Sequence, residues 1–297
     1  MQTIDLTNDY LSFLNTNNTS QYIKYCPFLF KHYFKYWGEG KKNFPKLKEN
    51  DVLNNRKLIL NSLQKIRRLF NKAGINSHDI SVIIFIGQGT ANGHAFIHKG
   101  KSYAWIAAED YNSQLYSDVM CLHEIVHALH YANVPSFYFR NSPQKKQTGR
   151  LLITEGIASY VTKKLLRINK GKALWGDFLS AAKAKIWLKK CEEKSQEMSD
   201  FIYKNFNSTA ADLFYLYPGK EAINDPFKAR GGYCLGLKLI EKIVKDEGLT
   251  LNGILKMDRK ILEKKVFAKL KFQLPRPSGR GKESKRYGLQ PKNLFTG

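Results

Sequence analysis

The stretch of sequence that decides the fold is Cys-Leu-His123-Glu124-Ile-Val-His127-Ala-Leu-His130, residues 121 to 130. Its apolar residues favour a buried helix, and Ser113 is a suitable N-cap for a helix that runs to about residue 131. Histidines four positions apart share one helical face, so His123 and His127 can reach the same zinc ion. Glu124 can approach a water at that ion without being a ligand. The segment therefore predicts a metal-binding helix.

An open zinc site needs a third protein ligand, and two residues come into question. His130 lies on the same helical face, but seven residues of helix separate it from His123, about 10 Å of rise, too far for bonds of about 2 Å. We therefore place His130 beside the ligands or in the pocket wall. Glu155 lies 28 positions after His127, on the next predicted helix, where Gly, Ala and Ser follow it and allow close packing. His123, His127 and Glu155 with one water predict a four-coordinate site for one Zn²⁺ per chain.

The rest of the chain predicts an α+β fold that is mostly helical. An apolar pattern over 52–70, which includes Leu53 and Leu60, predicts a long helix in an N-terminal region, 1–76, that reads as helical throughout. Short strands are predicted at 80–86, 95–98 and 103–107, the last two joined by a turn at 99–101. The remaining predicted helices cover 113–131, 151–168, 174–193, 232–246 and 254–270. A small β-sheet thus precedes the metal helix, and a helical C-terminal part follows it.

Composition excludes several classes of protein. The chain has 297 residues, 43% of them hydrophobic, which is enough apolar material for a sizeable core and excludes a wholly disordered protein. No apolar run reaches the roughly 18–20 residues of a membrane span. No secretory signal segment opens the sequence, so we expect a cytoplasmic protein. The four cysteines are far apart and form no CxxC pair, which argues against a thiolate zinc site. The glycines match neither a dinucleotide-binding nor a P-loop pattern.

Charge leaves a second function open. Lys and Arg number 49 against 25 Asp and Glu, a net charge of +24. Residues 275–297 hold six basic residues and one acidic residue, so most of the excess is spread along the chain. The alternative function is a basic protein that binds nucleic acid or an anionic surface and in which the metal site is structural or inactive. Weak contact of this kind through the tail is also compatible with an enzyme.

Two segments together resemble a known family. HEIVHALH at 123–130, followed by TEGIASYVTKKL at 154–165, resembles the gluzincins, zinc metallopeptidases with an HExxH helix and a metal-binding Glu on the following helix. The second segment is similar to the Asn-Glu-Gly-Phe-Ala-Ser-Tyr stretch of the aminopeptidase N class. With Arg-Gly-Gly-Tyr-Cys-Leu-Gly at 230–236, the pattern also resembles uncharacterised bacterial families of predicted Zn-dependent proteases. The motifs cover about a third of the chain.

The resemblance implies zinc-dependent hydrolysis of peptide bonds. Glu124 is then the general base that takes the proton of the attacking water and delivers it to the leaving amine. A hydrogen-bond donor must stabilise the oxyanion of the tetrahedral stage. We expect Tyr233 to supply it, with Arg230 or Tyr160 as alternatives.

The resemblance also implies where a peptide or protein substrate binds. In such folds an extended peptide pairs with the strand before the metal helix, or with its hairpin partner. The expected substrate-binding residues are accordingly Tyr103 and Trp105 on that strand, together with His130 and Arg230.

The chain departs from the aminopeptidases in two ways. Thr154 stands where they have Asn before the ligand Glu, and the Gly-x-Met-Glu-Asn strand that anchors a substrate amine is missing. Glu109 and Asp110 can be read either as a substitute acidic anchor or as exposed turn carboxylates. Endopeptidase and exopeptidase action therefore both remain open.

These expectations divide the chain into three parts. Residues 1–76 form an N-terminal helical region that contributes a lid or one wall of the cleft. Residues 77–272 form the zincin-like metallopeptidase domain. Residues 273–297 form a basic, disordered tail.

Overall fold

The structure, a computed structural model, describes residues 1–39, 44–109, 111, 113–217 and 222–273. Its strands are β1 (Gln2–Asp5), β2 (Ile80–Phe85), β3 (Gly93–His98) and β4 (Lys101–Ala107). The helices before the metal-binding segment are α1 (Thr7–Thr16), α2 (Thr19–Lys24), α3 (Pro27–Tyr36) and α4 (Glu49–Lys72). The fold is α+β and mostly helical, as the sequence predicts. Among the described residues, no helix is long and apolar enough to cross a membrane.

Most of the helical residues that the structure describes lie from the metal-binding segment onward. The helices there are α5 (Gln114–Asn133), α6 (Ser142–Lys145), α7 (Thr148–Leu166), α8 (Lys170–Trp175), α9 (Ala181–Glu193), α10 (Ser195–Asn205), α11 (Gly231–Asp246), α12 (Leu251–Lys256) and α13 (Arg259–Gln273). The predictions for α5, α7 and α11 are confirmed. The predicted tail lies outside the described residues, apart from its first residue, which ends α13.

The four strands form one mixed sheet in the order β1-β2-β4-β3. Strands β1, β2 and β4 are parallel, and β3 pairs antiparallel with β4 at the edge. The expectation that residues 1–76 are helical throughout is therefore wrong at β1. Its four residues are too few to show the alternation of apolar and polar residues that predicts a strand. They form a strand because they pair with β2, some 80 residues away in sequence. The N-terminal region thus shares a sheet with the segment that follows it.

The β3–β4 hairpin turns as predicted at Lys99 and Gly100. Both residues have positive φ, 47° and 76°, as a two-residue turn between twisted antiparallel strands requires. Gly100 adopts this conformation without the steric penalty of a Cβ atom. The turn fixes the register, in which Gly93 lies opposite Ile106. That register places the first residues of β3 next to α5.

Two predicted helices are each divided in two. The predicted 174–193 helix covers the last two residues of α8 and all of α9, which are separated where Gly176 takes φ +58° and ends α8. The predicted 254–270 helix is α12 and α13, and Met257, between them, has extended backbone with ψ 131°. The long helix α4 is present, but Leu53 on its predicted apolar face is 38% exposed. Its buried face instead includes Asn55 and Ser62, polar residues that the apolar pattern does not select.

The crossing of α7 and α11 is unusually close. A Cβ atom on Gly156 would lie 2.7 Å from the Gly236 carbonyl carbon, and one on Gly236 would lie 2.5 Å from the Leu152 carbonyl oxygen. Only glycine at both positions lets the two backbones touch in this way. The contact follows Glu155 directly in α7 and lies one turn after Tyr233 in α11. It therefore fixes the positions of Glu155 and Tyr233 relative to each other.

Candidate metal centre

Helix α5 is buried on every side over most of its length. The Ser113 hydroxyl caps its N-terminus by accepting the Tyr116 amide hydrogen at 3.0 Å. One face of α5 lies against the sheet, where the Ser102 hydroxyl donates to the Ala128 carbonyl at 2.6 Å. The two turns before Ala128 carry His123 and His127, which point into the interior with only 6% and 5% of their surfaces exposed.

A buried polar cluster fixes the N-terminal half of α5 against α4. The Asp118 carboxylate accepts hydrogen bonds from the Ser62 hydroxyl at 2.7 Å and from Lys65 Nζ at 2.6 Å. A charged group in the core is tolerable when it is paired and hydrogen-bonded in this way. The cluster explains why Ser62 interrupts the apolar face of α4. It also sets the rotation of α5 and hence the direction of its histidines.

His123, His127 and Glu155 meet at one point, as the sequence predicts. Their nearest ligand atoms all lie within 4.8 Å of one another. His123 Nε2 lies 2.9 Å from Glu155 Oε2 and 3.1 Å from His127 Nε2, and His127 Nε2 lies 3.4 Å from Glu155 Oε2. Ligands bound to tetrahedral zinc at about 2.0–2.1 Å lie about 3.3 Å from each other. Donor types and spacing therefore fit a metal ion of this kind.

The three groups polarise one another even without an ion. Burial alone would raise the pKa of Glu155, but the charge of His127 and hydrogen bonds with both histidines hold that pKa well below its usual value. Burial would likewise lower the pKa of His127, yet the Glu155 carboxylate raises it. Glu155 is thus kept ionised, the form in which a carboxylate binds a metal. His127 Nδ1 has no hydrogen-bond partner among the described residues, so packing against Tyr131, with ring centroids 6.0 Å apart, orients this ring.

Glu124 lies beside the triad and is not part of it. Its side chain packs against the first residue of β3, since a Cβ atom on Gly93 would lie 2.6 Å from Glu124 Cγ. Only 8% of Glu124 is exposed, and burial raises the pKa of its carboxyl group while the nearby His127 and His123 lower it. A raised pKa suits a group that takes up a proton and later releases it. The hairpin register and the absence of a side chain at Gly93 together create this position.

An open cavity of about 460 Å³ gives access to the triad. Six of the nine predicted site residues line it: His123, Glu124, His127, Glu155, Arg230 and Tyr233. Most of the other lining residues come from the β2–β3 loop, the start of β3 and residues 214–216. Volume and mixed lining are those of a small-molecule or peptide site.

Tyr233 and Arg230 occupy one wall of the cavity at the start of α11. The Tyr233 ring stacks at 27° on His123 with centroids 6.1 Å apart. The Arg230 guanidinium lies over that ring at 4.1 Å and over Trp175 at 5.3 Å. Burial and the Glu155 charge raise the pKa of Tyr233, which Arg230 opposes. The phenol is therefore protonated at neutral pH and has a hydrogen to donate.

Two residues predicted to bind substrate lie elsewhere. Trp105 is completely buried, with its ring against Phe85 and Tyr33 at 5.4 and 5.5 Å. Tyr103 stacks with Phe96 at 5.3 Å, three residues along β4 from the cavity end of the hairpin, roughly 10 Å away. Neither side chain lines the cavity, because β4 is an interior strand, paired on both sides. Both edges of β4 pair with neighbouring strands, and the rings of Trp105 and Tyr103 pack against other core residues.

His130 is a core residue and does not line the cavity. It is completely buried against Phe137, with ring centroids 4.5 Å apart, and burial lowers the pKa of its imidazole to about 3. His130 therefore does not form the pocket wall, one of the two places expected for it, since one further turn carries the side chain away from the triad. Tyr160, the alternative oxyanion donor, is also buried outside the cavity lining.

Glu109 has a structural task. Its Oε1 accepts the amide hydrogens of Gly87 at 2.7 Å and Gly89 at 3.2 Å, which holds the β2–β3 loop in the wall of the cavity. The reading of this residue as a substrate anchor is not supported by that position. Asp110 lies outside the described residues.

Sequence reasoning did not identify the residues that form a second wall of the cavity. It is formed by Trp37 after α3, His94 on β3, Phe139 and Lys145. The His94 ring lies 5.0 Å from Trp37 and 5.5 Å from Phe139, and burial keeps the pKa of His94 well below its usual value. These residues are far apart in sequence and share no motif. Trp37 shows that the N-terminal region does contribute to the cavity wall.

Comparison with known proteins leaves the lineage of the chain open. No protein-family model matches the sequence, and no curated protein matches it either.

Proposed function

We propose that this protein is a zinc-dependent hydrolase that cleaves peptide bonds. One observation carries the proposal: His123, His127 and Glu155 converge at the cavity that Glu124 also lines. Two histidines and one carboxylate leave a coordination position free, which is the arrangement of hydrolytic zinc sites. A structural site closes all four positions with protein ligands. The neighbouring carboxylate and the open cavity have no purpose in a structural site.

The metal-binding triad, Glu124, Tyr233 and Arg230 have distinct tasks in this reaction. His123, His127 and Glu155 would hold the zinc ion, which would supply Lewis acidity and lower the pKa of water towards about 7. Glu124 accepts a proton from the attacking water and donates it to the leaving amine. Tyr233 donates a hydrogen bond from its phenol to the oxyanion, and Arg230, stacked on the ring, adds positive charge beside it.

The outer edge of β3, beside which no further strand pairs in the described residues, supports a peptide as the substrate. Tyr138 hydrogen-bonds this edge at Ile97, so the part open to a peptide is the end at the cavity. Within the described part of the chain, β3 pairs with β4 alone, and its first residues, Gly93 and His94, line the cavity. An extended peptide can add to such an edge through backbone hydrogen bonds. The hairpin partner of the predicted strand is thus the better candidate for substrate pairing.

Metal content tests the site directly. We expect about one zinc per purified chain by elemental mass spectrometry, and none in the His123→Ala/His127→Ala double variant. His78→Ala, which removes an exposed histidine, serves as the control and keeps its zinc. Equal zinc content in the double variant and the control would refute the proposed site.

Activity tests the chemistry. With a peptide library as substrate, Glu124→Gln is expected to retain zinc and lose at least about 100-fold in rate, since the general base is gone. Hydrolysis at the parent rate by zinc-loaded Glu124→Gln would refute the assignment of the base.

We also propose weak contact with nucleic acid or another anionic surface, on the strength of the +24 net charge. Deletion of residues 275–297 separates it from catalysis. Retained hydrolysis with loss of salt-sensitive DNA or RNA binding would assign the contact to the tail. Unchanged binding would assign it to the rest of the surface.

A further inference from the structure

The second wall of the cavity, formed by Trp37, His94, Phe139 and Lys145, contains a lysine that can donate further hydrogen bonds. Lys145 Nζ lies 3.4 Å from the centroid of the Trp37 ring and donates to the Tyr36 carbonyl at 3.1 Å. It makes no ion pair with any carboxylate in the described residues. An ammonium group has three hydrogens, so two remain after the bond to Tyr36. The aromatic face and the carbonyl fix the position of the charge.

Lys145 is half-buried and still charged near neutral pH. Burial and the neighbouring Lys146 lower the pKa of Lys145 to about 8. Holding a cation at a cavity wall without a carboxylate partner costs free energy unless something else satisfies it. The cation–π contact with Trp37 compensates part of that cost. A ligand carboxylate would compensate the rest.

The charges of the whole cavity point in the same direction. Its charged lining residues are Glu124, Glu155, Lys145 and Arg230. If the site holds a divalent metal, as the proposed function requires, the two carboxylates balance the ion. Lys145 and Arg230 then leave the cavity with a positive charge of about two. Arg230 is stacked on Tyr233 beside the triad, whereas Lys145 belongs to the separate cluster of Trp37 and His94.

We propose that Lys145 binds a carboxylate of the substrate and makes the enzyme selective for peptides with an acidic group on the Trp37 side of the cavity. This inference rests on the proposed function. A charge-assisted hydrogen bond from a positioned ammonium to a carboxylate is stronger than a neutral one. The carboxylate belongs either to an Asp or Glu side chain or to the C-terminus of the peptide, and both present the same chemistry to Lys145.

Binding of defined peptides separates these sources. The probes are acetyl-Ala-Ala-Gln-Ala-Ala-amide, the set of its variants with Glu at each position, and the first peptide with a free C-terminal carboxylate. Calorimetry with zinc-loaded Glu124→Gln measures affinity without turnover. We expect at least one acidic probe to bind about tenfold or more tightly than the uncharged peptide. The probe that binds best identifies the source of the carboxylate.

Substitutions of Lys145 test whether this residue causes the preference for acidic probes. Lys145→Met in the same background is expected to abolish it, and Lys145→Arg to retain part of it because the charge stays. Lys146→Met, at the exposed neighbouring position, is the matched control and keeps the preference. The inference is overturned by equal affinity for acidic and uncharged probes, by a preference that survives Lys145→Met, or by no binding of any probe.

Failure of the proposed function has a different signature. It appears as an absence of zinc or of cleavage in the unsubstituted protein. An enzyme that cleaves library peptides without enrichment of acidic ones, and binds all probes equally, retains the proposed function and refutes only the role of Lys145.

Discussion

At the scale of single residues, Tyr233 offers the most specific test of the chemistry. Its ring stacks on His123 and its phenol stays protonated, yet it is not one of the three ligands. Tyr233→Phe is therefore expected to lower kcat by about 10²–10³ while the zinc content stays the same. Steady-state kinetics and elemental analysis of the same preparation measure both quantities.

Tyr160→Phe is the matched control for that substitution. Tyr160 is a buried tyrosine on α7, the helix of Glu155, and lies outside the cavity lining. We expect its hydroxyl to have no effect on kcat. Equal rates for Tyr233→Phe and the parent would remove Tyr233 from the reaction and leave Arg230 as the remaining donor in that wall.

Among the helices and strands, the crossing of α7 and α11 is the contact on which the site depends. In Gly236→Ala the new methyl group would meet the Leu152 carbonyl oxygen and the Gly156 backbone at 2.5 to 3.2 Å, and neither can yield without moving a helix. We expect a loss of at least about 1–3 kcal/mol in the free energy of unfolding. Zinc affinity falls as well, because Glu155 precedes Gly156. Chemical denaturation and zinc titration measure the two effects.

Gly253→Ala in α12 provides the comparison. Its new methyl group would find neighbours only at 3.4 Å or more, which is ordinary van der Waals contact. We expect it to be neutral or to stabilise by up to about 1 kcal/mol, since alanine favours helix. If Gly236→Ala behaved like Gly253→Ala, the close crossing would not be what positions Glu155.

The same elements show what a sequence can predict. The metal ligands were predictable because helical periodicity places His123 and His127 on one face, whatever surrounds them. Strand β1 was not, because four residues become a strand only through a distant partner. The sequence did not show that Trp105 is a core residue, because a strand's sequence does not tell whether its edge is free. Lys145 gave no local signal, since its role depends on a contact with Trp37, more than 100 residues away in sequence.

At the scale of the whole molecule, buried neutral histidines make stability depend on pH. Burial lowers the pKa of His130 and of His32 to about 3, whereas an unfolded histidine titrates near 6.5. Between these values the unfolded chain binds protons that the native protein does not. The contribution of these two histidines to stability is therefore fully present above about pH 6.5 and is lost as the pH falls towards 3. Each histidine contributes a loss of about 2 kcal/mol by pH 5.

His130 isolates this effect, because it is completely buried and its ring nitrogens have no hydrogen-bond partner among the described residues. In metal-free protein, kept so with a chelator, His130→Leu should lose about 2 kcal/mol less than the parent between pH 7 and pH 5, whatever its stability at pH 7. His78→Ala, at an exposed position, should follow the parent. Urea denaturation at both pH values gives the difference. An equal pH dependence in His130→Leu and the parent would mean that this imidazole takes up its proton without unfolding, and acid lability would then have to arise elsewhere in the core.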